Sequence, residues 1–126
     1  MTKLKRSELA YLAEVPGFWY VASPYSKYPG GMKEAWIEVC KAAGFLIRQK
    51  VPVFCPIAHT HPIAIHAHMD QLKHEIWLPA DQPMLEAAYG MIIVMLETWE
   101  TSTGIRYEQD YFKKASKPIW YMEWPQ

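Results

Sequence analysis

This sequence has few cysteines, no excess of charge of one sign and no long apolar run. Its two cysteines are too few for a disulfide framework, so we expect a reducing, cytoplasmic setting. Thirteen basic side chains balance thirteen acidic ones, which argues against electrostatic capture of a nucleic-acid polymer. No apolar run approaches membrane-spanning length, and the basic N-terminus lacks the apolar segment of a signal peptide, so we expect neither a membrane partner nor a leader.

The composition itself predicts one globular domain over residues 1–126. Hydrophobic residues make up 51% of the chain, and a chain of this length can bury a core without disulfides or metals. Residues 1–17 read as a peripheral segment, a short helix ended by Pro16-Gly17 that packs on the sheet edge or on a partner subunit. Aromatic residues are plentiful at 14% and suit a base pocket, an oligomer interface or the core.

Short apolar runs alternate with helical patterns along the chain. This alternation predicts an α/β fold with right-handed parallel crossovers, namely a doubly wound parallel sheet of four to five strands in a flavodoxin-like or Rossmann-like three-layer sandwich. In that order the first and third strands are neighbours. The G-x-G-x-x-G dinucleotide fingerprint is absent. The predicted strands are 18–23, 51–55, 91–96 and 119–122; the predicted helices are 31–50, 81–89 and 102–115, with 56–80 irregular.

The stretch from Trp99 to Glu108 carries the most chemical meaning. It follows the third strand, and open α/β sheets bind ligands at such loops. Ser102 is a plausible N-cap, and the free N–H groups after it suit a hydroxyl, carboxylate or phosphate. Glu108 lies four residues after Gly104 and points back over it, toward the helix start. Because a glycine in a first turn costs roughly 1 kcal/mol against alanine, we expect a ligand over Gly104. The alternative is an ordinary solvated glutamate.

The pattern W-x-x-S-x-G-x-x-x-E formed by these residues resembles the signature of the nucleoside 2-deoxyribosyltransferase-like superfamily. The resemblance spans Tyr20 to Tyr121. It implies that Glu108 is the nucleophile that attacks C1′ of a deoxyribonucleoside. It also implies that Ser102 and Gly104 hold the 5′ end of the sugar, that no cofactor is needed, and that the protein is a homo-oligomer, dimeric or tetrameric.

Two other segments are similar to the superfamily. Ala22-Ser23-Pro24-Tyr25 is similar to its loop after the first strand, which implies that the Tyr25 phenol donates near the reacting carboxylate or sugar; alternatively, Tyr25 packs on the next helix. Asp81 matches an aspartate near the nucleobase that protonates or hydrogen-bonds the leaving base; the alternative is an ordinary helix N-cap. Trp99 or Tyr25 is expected to stack on the base, although Trp99 is equally explained as structural.

A histidine-rich segment lies between these regions. His59 and His61, followed by His66 and His68, form two H-x-H pairs that invite a metal interpretation. We expect no metal, because Pro62 interrupts the segment and both cysteines lie elsewhere. The preferred interpretation is a loop over the site, with His59 or His61 near the ligand.

The expected function is cleavage or transfer at the N-glycosidic bond of a small nucleoside or nucleotide. One feature departs from the superfamily, which often has an aspartate directly before the third strand, where this chain has Tyr89-Gly90-Met91. Recognition of the base or protonation of the leaving group must then differ. This departure favours an alternative, a non-catalytic nucleotide-binding or sensing module on the same fold. A metal-binding protein built on the histidines is the third possibility.

Overall fold

Four parallel β-strands form the centre of the protein in the computed structural model, which describes residues 1–126. The strands are β1 (Trp19–Ala22), β2 (Val53–Phe54), β3 (Gly90–Met95) and β4 (Ile119–Glu123). The α-helices are α1 (Leu9–Ala13), α2 (Met32–Arg48), α3 (Pro56–His66), α4 (His74–Ala87) and α5 (Thr103–Lys114), and two short 3₁₀ helices cover Arg6–Glu8 and Trp99–Thr101.

The strand order is β2-β1-β3-β4, with every pair parallel. Trp19 of β1 is in register with Gly90 of β3, and Met91 is in register with Ile119 of β4. The prediction that the first and third strands are adjacent in the sheet is therefore confirmed. Parallel strands end at the same edge of a sheet, so the loops after β1 and β3 lie side by side.

Helices cover both faces of the sheet, because successive side chains of each strand point to opposite sides. In β1, Trp19 and Val21 pack with α1 and α2, whereas Tyr20 and Ala22 pack with α4 and α5. The strand β3 divides in the same way. The result is the predicted three-layer, doubly wound, Rossmann-like α/β fold.

The prediction of irregular structure over 56–80 is wrong. Pro56 occupies the first turn of α3, where its missing N–H costs nothing, and the helix continues through Pro62 to His66. The helix α4 contains two further prolines, Pro79 and Pro83. Both are exposed and lie four residues apart, so water can hydrate the carbonyls that they leave unpaired. Tertiary packing of the helices overrides the local signal of the prolines.

The position of Asp81 in its helix also differs from the prediction. Asp81 was expected near a helix start, but α4 begins at His74, with Lys73 as its N-cap residue. Asp81 is thus in the middle of the helix and does not cap it. Asp81 instead lines the pocket described below.

Gly90 lies where the backbone of β3 comes closest to its neighbours. A Cβ atom at this position would lie 2.5 Å from the Trp19 ring and 2.6 Å from the carbonyl oxygen of Pro118. The Trp19 ring is held by a hydrogen bond from its Nε1 to the carbonyl oxygen of Leu12, and Tyr89 packs on it edge to face. A side chain at residue 90, aspartate included, has no room in this chain.

The N-terminal residues join the β4 edge of the sheet. The backbone N–H of Leu4 donates to the carbonyl of Tyr121, and the N–H of Tyr121 donates to the carbonyl of Thr2. Leu9 and Leu12 are buried against the sheet, so the segment contributes to the core as well as to the edge. None of the helices combines the length and the apolar character needed to cross a bilayer.

Candidate active site

A pocket of about 250 Å³ lies beyond the carboxyl ends of β1 and β3. Its walls come from the end of β1 and the loop after it, the start of α3, the α3–α4 loop with α4, and the first turns of α5. This is the edge of the sheet at which open α/β folds bind ligands. The expected site residues that line it are Ser23, Tyr25, Asp81, Ser102, Gly104 and Glu108.

Glu108 is partly buried in the pocket wall, on the second turn of α5. Burial, and to a smaller extent the nearby Asp81 carboxylate, raise the pKa of Glu108 to about 8. A hydrogen bond from the Tyr20 hydroxyl acts in the opposite direction, because it favours the ionised carboxylate and lowers that pKa. The Tyr20 hydroxyl thus favours the ionised form of Glu108, whereas burial and the Asp81 carboxylate favour its protonated form.

Asp81 faces the same pocket from α4. Burial raises the pKa of Asp81 to about 6, and the positive charge of His59 counteracts part of the rise. Between pH 6 and 8 the two carboxyl groups together retain about one proton, which lies mostly on Glu108, the group with the higher pKa. A pair with one proton can supply both an acid and an anion at neutral pH.

The start of α5 forms the part of the pocket next to Glu108. The predicted cap is confirmed, since the Ser102 hydroxyl oxygen accepts a hydrogen bond from the N–H of Ile105 at 3.3 Å. At Gly104 an added Cβ would meet nothing closer than the Ser102 hydroxyl oxygen, 3.9 Å away. The space over Gly104 is thus open, as expected from the spacing of Gly104 and Glu108.

Ser23 brings an unpaired hydroxyl to the pocket. The residue is 5% exposed, and its Oγ has no hydrogen-bond partner. A buried hydroxyl without a partner costs stability unless a ligand or water satisfies it. The neighbouring Pro24 is buried but does not line the pocket, so its place is in shaping the loop.

Tyr25 takes part in a hydrogen-bond network that the sequence did not predict. Its hydroxyl is 2.5 Å from Nδ1 of His61, and Nε2 of Gln71 donates to the same hydroxyl oxygen at 3.1 Å. His61 is buried and stacks on Trp36 with ring centroids 4.8 Å apart, and burial lowers the pKa of His61. In the tautomer with an unprotonated Nδ1, His61 accepts a hydrogen bond from the Tyr25 hydroxyl, so the phenol presents its oxygen and not its hydrogen to a ligand.

Three of the other expected contacts lie outside the pocket. His61 reaches it only through Tyr25 and Gln71. His59 is exposed beside Phe54 and acts on Asp81 through its charge. Trp99 packs on Tyr121 with ring centroids 5.6 Å apart, which agrees with the structural interpretation of this tryptophan. No group of three or more His, Cys, Asp or Glu side chains is arranged to hold a metal ion.

Several pocket residues were not predicted from the sequence. Tyr20 read as an ordinary strand residue, and only its register beside β3 and beneath α5 places its hydroxyl at Glu108. Gln71 lies in the loop between α3 and α4, where no local pattern marks it. Tyr107 donates to the Gln82 side-chain oxygen at 3.2 Å, which joins α5 to α4 across the pocket.

One family model matches the chain, and it covers residues 17–124. The matched region contains every residue of the pocket. No curated protein matches the sequence. The match extends over nearly the whole chain, and the chain therefore belongs to the family described as domain of unknown function DUF1937.

Proposed function

We propose that this protein cleaves or transfers at the N-glycosidic bond of a nucleoside or nucleotide, with Glu108 as nucleophile. One observation carries the proposal, namely two carboxyl groups with raised pKa values, Glu108 and Asp81, in one pocket. Glycosidic chemistry through a covalent intermediate needs an anion on one side of the bond and an acid at the leaving group. The resemblance of the Trp99–Glu108 stretch to the nucleoside 2-deoxyribosyltransferase-like superfamily supports the same assignment.

The first step breaks the bond between C1′ and the base. The ionised Glu108 attacks C1′ as the bond to nitrogen lengthens, and its charge stabilises the oxocarbenium-like transition state. This step uses the minor form of the pair, in which the shared proton lies on Asp81 and Glu108 is ionised. Protonated Asp81 then gives its proton to the leaving base. The products are a free base and a glycosyl ester of Glu108. The Tyr20 hydroxyl favours the ionised carboxylate and so increases the share of molecules in this reactive form.

The second step regenerates the enzyme. Asp81, now ionised, takes a proton from water or from the nitrogen of a second base, and that atom attacks C1′. The ester bond breaks and Glu108 leaves as a carboxylate. Water yields hydrolysis and a second base yields transfer, so the same residues serve both outcomes. This chemistry requires no metal or cofactor.

A second candidate is a non-catalytic nucleoside- or nucleotide-binding module. It is favoured by the raised pKa of Glu108, since a pKa of about 8 leaves most of this carboxyl protonated at neutral pH. A protonated carboxyl is a poor nucleophile but a good hydrogen-bond donor to a sugar hydroxyl. Gly90, at the position where the resembling proteins often have an aspartate, is consistent with this second candidate.

Base release by the wild type separates the two candidates. The protein is incubated with the four common 2′-deoxynucleosides, their ribose counterparts and the 5′-monophosphates, with and without an acceptor base, and free base is measured by chromatography. We expect release by the wild type and by Glu100→Gln, an exposed glutamate outside the pocket, and a loss of at least about 1,000-fold in Glu108→Gln. Equal release by wild type and Glu108→Gln would exclude Glu108 as nucleophile. Saturable binding without release would establish the binding module.

Two further parts of the proposal come from the sequence and the resemblance. The two cysteines are free thiols in the structure, which suits the cytoplasmic location that we propose. We also propose that the protein forms a homo-oligomer. Light scattering measures the mass of this assembly directly. A monomeric mass at micromolar concentration would contradict this assembly.

A further inference from the structure

The pocket is acidic and has no strong cation in its walls. None of its twenty-one lining residues is lysine or arginine, and its basic side chain is His74, which is exposed. Two carboxyl groups, Glu108 and Asp81, face the same space. Between pH 6 and 8 the pair carries about one negative charge, and above pH 8 it carries two.

Neutral hydroxyl groups line the pocket at the loop after β1 and at the start of α5. Ser23 has its buried, unpaired Oγ there, and Ser26, Ser102 and Thr103 also line the pocket. The Ser102 oxygen already accepts from Ile105, which leaves its own O–H as a donor. A hydroxyl group can both donate and accept, so an uncharged sugar hydroxyl matches these partners without an unpaired charge.

Apart from these hydroxyl groups, the start of α5 has few donors that could bind a phosphate. Its third N–H, that of Ile105, is engaged by Ser102, so the free backbone donors are those of Thr103 and Gly104. Arg106 is exposed and does not line the pocket. A dianionic phosphate placed here would face the Glu108 and Asp81 carboxyl groups with two neutral N–H donors and no cationic side chain.

We infer that the pocket selects an uncharged nucleoside and discriminates against its 5′-phosphorylated form, an inference that rests on the proposed function. The recognition is a difference in affinity. Hydroxyls satisfy the sugar 5′ oxygen, and the acidic walls repel an added phosphate. If the protein is a binding module, the same repulsion favours a nucleoside over a nucleotide as its ligand.

The test compares each 2′-deoxynucleoside with its own 5′-monophosphate on the wild-type protein. We expect kcat/KM for base release to be at least about 100-fold higher for the nucleoside, and the gap to widen from pH 6.5 to pH 8.5 as the carboxyl pair loses its proton. Added salt should narrow the gap, since it screens the repulsion. Equal or better use of the monophosphate would overturn the inference.

A gain-of-function variant tests the same point without loss of folding. Thr103→Lys places a cation at the exposed first residue of α5 and should raise monophosphate use relative to nucleoside use by at least about 10-fold. Thr103→Gln, similar in reach and uncharged, removes the same hydroxyl and is the matched control, so the effect of the added charge is the difference between the two variants. The inference fails if the two variants change the ratio equally.

The inference and the proposed function fail in different ways. If the wild type releases no base, the affinity of both ligands for the wild type is measured by calorimetry. Tighter binding of the nucleoside then retains the inference for a binding module while the glycosidic proposal is lost. Tighter binding of the monophosphate, or binding of neither, overturns the inference.

Discussion

The Tyr20 hydroxyl at the end of β1 and the Glu108 carboxyl group on α5 meet in the wall of the pocket, where the hydroxyl favours the ionised form of Glu108. Burial raises the pKa of Tyr20 well above its ordinary value, so the phenol stays protonated and acts only as a donor to Glu108. The donor is buried in the core beside Phe112 and Phe54. A strand residue, Tyr20, thus influences the ionisation of Glu108.

Removal of this donor should disfavour the ionised nucleophile. Tyr20→Phe keeps the ring packing and deletes the hydroxyl, so the pKa of Glu108 should rise. We expect base release at pH 7 to fall roughly 10-fold, because Glu108 is ionised in a smaller share of the molecules, and the alkaline limb of the pH profile to move to higher pH. Tyr111→Phe, on the far side of Phe112 and outside the pocket, is the control and should match the wild type. An unshifted alkaline limb in Tyr20→Phe would contradict this role of the Tyr20 hydroxyl.

The wild-type pH profile of kcat/KM should be bell-shaped. Below about pH 6 both carboxyl groups are protonated, so no nucleophile is available; above about pH 8 both are ionised, so no acid remains for the leaving base. The maximum is expected near neutral pH, and Asp81→Asn should remove the alkaline limb by deleting the acid. A profile that rises continuously to pH 9 would show that protonated Asp81 does not assist departure of the base.

The partly buried Glu108 should make the stability of the protein decrease with rising pH. Its pKa is raised from 4.5 to about 8 on folding, so the folded state holds a proton that the unfolded state releases between these values. The stabilisation is complete below pH 4.5 and is lost as pH rises through 8. Glu108→Gln cannot ionise, so it should be more stable than the wild type by about 2–4 kcal/mol at pH 9, with the difference vanishing near pH 4.

Urea titrations of both proteins at several pH values measure this difference. Glu100→Gln, on the exposed 3₁₀ helix, serves as the control and should show no such pH dependence. A constant difference between Glu108→Gln and wild type from pH 4 to pH 9 would mean that the Glu108 pKa is not raised in the folded protein.

Gly90 should tolerate no side chain. Gly90→Ala drives a methyl group into the Trp19 ring and the Pro118 carbonyl, and should destabilise the protein by about 2–4 kcal/mol in thermal or urea unfolding. Gly44→Ala, within α2 and with only the end of Arg48 nearby at 3.9 Å, is the matched control. It should stabilise by about 0.5–1 kcal/mol through helix propensity. Similar unfolding free energies for the two variants would contradict the close packing at Gly90.

The four parallel strands, the alternation of strands with helices, and one helix cap were predictable from the sequence alone. Alternating apolar runs and helical patterns define the parallel α/β sandwich, and the Ser102 cap follows from a small polar residue before a helical pattern. These signals are local, since they depend on side-chain period and on hydrogen bonds within a few residues. The openness over Gly104 follows from the same i, i+4 geometry.

Only the tertiary structure decided which side chains meet. It turned the segment 56–80 largely into helices, because packing offsets the prolines, and it placed Asp81 in mid-helix facing the pocket. It also brought Tyr20 to Glu108 and Gln71 to Tyr25, residues separated by long stretches of chain. Such encounters depend on strand register and helix placement, which no short window of sequence encodes. Local chemistry thus determined the scaffold, and long-range packing determined the ionisation of its candidate site.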